Sequence, residues 1–156
     1  MKICDFGLAR LKIESIDSAK GLTPYIATRW YRAPEVLLRM ADYGAEIDVW
    51  SAGCIFAELI TRNVLFMGHY SRKSLILAKN QLQEILKQLG RPSKAFLDRI
   101  GNKQKVDFLI KNSKELAPND PALLKNKFKK LLCPEGVDLL LKMLSFDPND
   151  RISVVD

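Results

Sequence analysis

Asp5-Phe6-Gly7 opens, and Ala33-Pro34-Glu35 closes, the stretch that decides how this chain is read. Between them stand Thr23-Pro24-Tyr25 and Ile26-Ala27-Thr28-Arg29-Trp30-Tyr31-Arg32. Asp5 is an acceptor-only carboxylate just ahead of a backbone-permissive glycine, an arrangement able to present oxygen to a hard cation such as Mg²⁺. Thr23 and Tyr25 carry hydroxyls in a loop punctuated by Gly21 and Pro24. Pro24 holds Thr23 out of helix and in an extended form. Phosphates on both hydroxyls would add about −3 to −4 of charge and would need cationic partners; Arg10, Arg29 and Arg32 are the candidates. Without the two flanking triplets, an ordinary surface loop with scattered arginines would be the better reading.

Outward from this stretch the pattern is helical. Pro34 suits the first turn of a short helix over 35–40, ended by Asp42-Tyr43-Gly44. A helix over 46–60 is apolar nearly all the way round, which predicts burial on every side; Asp48 within it would then need a hydrogen-bonding partner. Gly53 would weaken a free helix by about 1 kcal/mol, so close packing is the better reason for it. After a turn at Leu65-Phe66-Met67-Gly68, the stripe Leu75, Ala78, Leu82, Ile85, Leu86 and Leu89 predicts a helix over 74–89, capped by Gly90 and stopped by Pro92. Ser93 is a candidate N-cap for a short helix bearing Phe96, Leu97 and Ile100. A further helix is predicted over 105–111. Leu123, Leu124, Phe128, Leu131 and Leu132 read as anchors of a loosely structured stretch. Pro134-Glu135 opens a last helix to about Leu144, with Val137, Leu140, Leu141 and Leu144 on one face. Ser153 should start one more helix.

The 156 residues are enough for one modest domain, and 47% hydrophobic with 28% charged residues is an ordinary globular mixture. No apolar run reaches ~18 residues, so no transmembrane helix is expected, and the first residues do not read as a secretory signal. The cysteines, Cys4, Cys54 and Cys133, are odd in number and far apart. Reduced thiols in a cytoplasmic or nuclear protein are expected rather than disulfides or zinc. His69 is the single histidine and reads as a loop residue. The net charge is +7. Lysines between Lys87 and Lys130 alternate with apolar residues at helical spacing, which favours a solvated helical face over nucleic-acid binding.

The Asp-Phe-Gly and Ala-Pro-Glu triplets, in that order and with Thr-x-Tyr between, form the pair that brackets a protein-kinase activation segment. Residues 5–35 resemble that segment in a mitogen-activated protein kinase. Asp48-Val49-Trp50-Ser51-Ala52-Gly53-Cys54 is similar to the central helix of the kinase large lobe, whose Asp braces the catalytic loop. Leu89-Gly90-Arg91-Pro92-Ser93 resembles the entry to the insert of this branch and of the cyclin-dependent kinases, here about 90–132. The sequence departs from the branch at Met67, where Pro is usual, at Asn80, where Asp is usual, and at about eight extra residues around 71–79.

The resemblance implies a mainly α fold, a partial large lobe of the protein-kinase domain over 1–156, truncated at both ends. It implies a proline-directed serine/threonine kinase that uses Mg²⁺ and ATP, with Asp5 as metal and nucleotide ligand. Phosphorylated Thr23 would be held partly by Arg10, and phosphorylated Tyr25 by Arg29 and Arg32. Ile26, Ala27, Thr28, Arg29, Trp30 and Arg32 would form the pocket for the proline after the target residue. Glu35 would pair with Arg151. The implied partners are substrates with Ser-Pro or Thr-Pro sites, an upstream dual-specificity kinase and phosphatases, with no nucleic acid or membrane.

The 156 residues contain no Gly-rich phosphate loop, no strand Lys with a helix Glu, and no His-Arg-Asp loop. Those parts carry the positioning and charge neutralisation of phosphoryl transfer. The chain alone is therefore expected to contain no catalytic base, to bind ATP weakly and to lack kinase activity. A non-catalytic binding or scaffold fragment and a truncated gene product are the alternatives.

Overall fold

The computed structural model describes residues 29–40, 43–68, 74–116 and 121–155, with the backbone alone for 74–77. Among them are seven α-helices: α1 (Pro34–Leu37), α2 (Glu46–Thr61), α3 (Ser74–Leu89), α4 (Lys94–Arg99), α5 (Lys103–Ser113), α6 (Ala122–Phe128) and α7 (Pro134–Met143). A 3-10 turn, Pro148–Asp150, follows. The architecture is mainly α. α2 packs on α7, α3 packs on α1, α5 and α6, and α6 packs on α7.

The helix ends follow local chemistry. Pro34 sits at the start of α1 and Gly90 takes φ +81° just after α3, a left-handed geometry that costs glycine little. The Ser93 hydroxyl accepts from the Phe96 N–H at 3.1 Å. α5 begins earlier than the apolar residues suggest, because the Asn102 side chain accepts from the Lys105 N–H at 3.1 Å and caps it.

One core unites the helices. Trp50, Phe66, Phe96, Phe128, Ile85, Leu86, Leu109, Leu124, Leu140 and Leu144 are wholly buried and belong to a single cluster. Burial of each such side chain stabilises the fold by roughly 1.5–3 kcal/mol. Trp50 stacks on Phe66 with ring centres 5.5 Å apart, and Phe96 meets Phe146 edge-on at 5.2 Å. Arg99 pairs with Asp147, which ties α4 to the loop after α7. Gly53 lies where α2 crosses α7. A Cβ there would stand 3.0 Å from Leu144 Cδ2 and 3.0 Å from Met143 Cβ, so the glycine is what lets the two helices approach.

Three expectations need correction. α2 is not buried all round: Val49, Trp50, Gly53, Cys54 and Ala57 face the core, whereas Ile55 and Leu59 are 40% and 53% exposed. Asp48 is exposed as well, so it pays no desolvation and instead sits in the first turn, where the helix dipole favours a carboxylate. Residues 122–128 are helical rather than loose. A seven-residue helix is not stable alone; Leu124 and Phe128, one turn apart and both fully buried, hold it in place. The helix expected from Ser153 lies outside the described residues; the Ser153 hydroxyl accepts from the Val155 N–H at 3.3 Å.

Candidate functional site

The described part of the opening stretch, Arg29 to Glu35, is held from three directions. The Trp30 carbonyl accepts from Gln81 Nε2 at 3.3 Å. The Tyr31 carbonyl accepts from Ser51 Oγ at 2.9 Å. The Tyr31 hydroxyl donates to Glu58 Oε2 at 2.7 Å. Two anchors come from α2 and one from α3, so the segment lies across the joint between these helices. Its own backbone turns by an Arg32 N–H to Arg29 carbonyl bond of 3.0 Å.

Gln81 is 1% exposed and uses its whole amide. Besides Trp30, Nε2 donates to the Phe66 carbonyl at 2.7 Å, and Oε1 accepts from the Gly68 N–H at 3.2 Å. A buried amide is tolerated when its donors and acceptor are paired in this way. Gly68 is required for the contact, because a Cβ there would fall 2.6 Å from Gln81 Oε1.

Below the segment, Glu35 and Arg151 meet with both side chains fully buried. Arg151 Nη1 donates to Glu35 Oε1 at 2.7 Å and Nη2 to Oε2 at 3.1 Å. The guanidinium also donates to the Ser145 carbonyl from Nε at 3.2 Å and Nη2 at 3.1 Å, and to the Glu46 carbonyl at 2.8 Å. It lies 5.2 Å from the Trp50 ring centre. All the demands of a buried ion pair are thereby met.

The electrostatics follow from these contacts. The hydrogen bond to Glu58, aided by burial, holds Tyr31 protonated and pushes its pKa up to about 12. Burial lowers the Arg32 pKa, and the neighbouring Arg29 lowers it further. Two cations so placed would favour an anion nearby. Burial raises the Cys54 thiol to about 12, which makes it an inert core group. Tyr31, Glu58, Ile55, Leu59 and Arg62 line an open cavity of about 330 Å³ beside the segment.

Of the residues singled out from sequence, Arg29, Trp30 and Arg32 are half-buried in one segment, with Glu35 and Arg151 joined beneath it. Asp48 stands apart at the exposed start of α2. Asp5, Arg10, Thr23, Tyr25, Ile26, Ala27 and Thr28, the residues expected to serve metal, nucleotide, phosphate and substrate, lie outside the described residues. No group of carboxylates, thiols or imidazole among the described residues is arranged to hold a metal. No described helix is long and apolar enough to cross a membrane. Sequence reasoning missed Glu58, Ser51 and the role of Gln81. A carboxylate and a hydroxyl in an otherwise apolar helix were the available signal for the first two.

A model of the protein kinase domain matches residues 1–156. The chain belongs to the protein kinase family. It is 42% identical over 160 residues to mitogen-activated protein kinase 6 of Arabidopsis thaliana, covering 100% of this chain and 35% of that protein. It is 43% identical over 157 residues to mitogen-activated protein kinase spm1 of Schizosaccharomyces pombe, covering 100% and 34%. Mitogen-activated protein kinase 4 of Oryza sativa subsp. japonica is 42% identical over 158 residues, at 100% and 38% coverage. This kinase chain thus spans about a third of the length of the curated relatives it matches, and its helical architecture fits part of the large lobe.

Proposed function

We propose that this chain is the activation segment and substrate platform of a proline-directed, mitogen-activated serine/threonine kinase. The observation that carries the reading is the three-point anchoring of Trp30 and Tyr31 to Gln81, Ser51 and Glu58. It makes Trp30 and Tyr31 a fixed shelf, and a shelf of fixed shape is what a pocket for the proline after the target residue requires. In a whole kinase Ile26, Ala27 and Thr28 would complete that pocket, and Asp48, exposed here, would brace the catalytic loop. The helices α4 to α6 form the insert of the branch.

Thr23 and Tyr25 are the sites modified by an upstream dual-specificity kinase and reversed by phosphatases. Arg10 takes part of the phosphothreonine charge, and Arg29 with Arg32 takes the phosphotyrosine. In a whole kinase Asp5 would hold Mg²⁺ on the ATP phosphates. The ion and nucleotide supply the transferred group; the residues of this chain orient the acceptor peptide. As 156 residues it lacks the phosphate loop and the His-Arg-Asp base, so by itself it captures substrates and does not phosphorylate them. The buried thiol of Cys54 suits a reducing cytoplasm or nucleus.

The test is to treat the purified chain with an active dual-specificity kinase and map the phosphates by mass spectrometry. Anisotropy of Ser-Pro and Ser-Ala peptides is then measured. Phosphate on Thr23 and Tyr25, with tighter binding of the Ser-Pro peptide, is expected. Phosphate elsewhere, equal binding of both peptides, or turnover of either peptide by the chain alone would contradict the reading.

A further inference from the structure

A second concave surface lies away from the shelf, between α6 and α7, with a volume of about 320 Å³. Leu132, Pro134, Val137 and Leu141 make its floor, and Lys125 and Lys129 stand at its edge. Both lysines are exposed. They are four residues apart on α6 and its C-cap, so they share one face, where like charges repel. Among the described residues neither has a carboxylate partner. The one acid on the wall, Asp138, is already engaged by Lys142 at 2.9 Å.

The neighbourhood reinforces the sign. Residues 121–134 include Lys125, Lys127, Lys129 and Lys130 and no acid. Lys127 is otherwise occupied, 5.7 Å over the Phe128 ring. Attraction of lysines to a helix C-terminus explains cations here, but not an apolar floor beneath two unpaired ones. Nucleic acid would match the charge and leave that floor unused, and the groove offers no aromatic ring on which a base could stack.

We propose that this groove docks an acidic amphipathic segment of a partner protein. An apolar side chain of the segment rests on Leu132, Val137 and Leu141. Two carboxylates about one helical turn apart meet Lys125 and Lys129, which relieves their mutual repulsion. This is helix-in-groove recognition, with the charged rim choosing the partner.

The experiment uses the whole 156-residue chain and a labelled peptide with leucines between glutamates, alongside a counterpart with lysine in place of every glutamate. Fluorescence anisotropy should show binding of the acidic peptide, weakened by added salt, and none of the basic one. The double variant Lys125→Glu, Lys129→Glu should bind the acidic peptide at least tenfold more weakly and gain the basic one. That gain also shows that the variant is folded. Equal binding of the acidic peptide by both proteins would overturn the proposal, as would no binding at all. Binding to phosphatidylserine vesicles in place of the peptide would overturn it too, by making the surface a lipid site.

Discussion

Replacing Glu35 by Ala removes one half of an ion pair in which neither side chain touches solvent. Arg151 then keeps its bonds to the Ser145 and Glu46 carbonyls but loses both bonds to the buried carboxylate that neutralises it. An uncompensated buried charge of this kind costs about 3–5 kcal/mol. For a chain of this size each kcal/mol lowers Tm by about 2–4 °C, so a fall of about 6–20 °C is expected. Urea unfolding followed by far-UV circular dichroism measures it, with Tm from calorimetry as a second reading. The double variant Glu35→Leu, Arg151→Met removes both charges and should recover most of the loss, since apolar replacement of a complete buried pair is often near neutral. If Glu35→Ala unfolds within about 0.5 kcal/mol of the parent, a value ordinary for an innocuous surface change, the pair does not clamp the fold and the argument fails.

Gln81→Leu should cost about 1–3 kcal/mol by leaving the Phe66 carbonyl and its neighbours without a partner, and amide exchange at Gly68 should accelerate; unchanged exchange would remove Gln81 as the anchor. Gly53→Ala gains about 1 kcal/mol of helix propensity yet forces a methyl against Met143 and Leu144, an overpacking worth about 1–3 kcal/mol; denaturant titration should show net destabilisation, and a more stable variant would mean that α2 and α7 move apart freely. Tyr31 has a folded pKa of about 12, above its unfolded value of about 10. Its contribution is thus fully present below pH 10 and lost as pH rises through 12. Absorbance at 295 nm should show one tyrosine ionising late, and Tyr31→Phe should abolish the matching loss of stability between those pH values; an unchanged alkaline slope would break the link to Glu58.

Much of the helical plan was readable because it depends on near neighbours. The stripe over 74–89, the stop at Gly90 and the Ser93 cap each need only residues within a turn or two, and each is in the structure. The extent of α5 was misjudged because the capping role of Asn102 shows no apolar period. α6 escaped because its support, the burial of Leu124 and Phe128, comes from packing against helices outside its own stretch, α3 and α7. At the candidate site the activation-segment residues drew attention through their motif. Glu58 and Ser51 did not, since nothing in a helix sequence says which polar residue will face a loop some twenty to thirty positions earlier.

From the order of its residues alone this chain declares its family and most of its helices, because motif and period are local properties of a chain; the pairing of Glu35 with Arg151, 116 positions apart, was expected only through the family resemblance. Tertiary structure alone decided that α2 has an open side bearing Ile55 and Leu59, that one glutamine ties the shelf at Trp30 to the turn at Phe66 and Gly68, and that two lysines rim an apolar groove. Each of these depends on which surfaces meet, and that is set by packing between segments far apart in the chain.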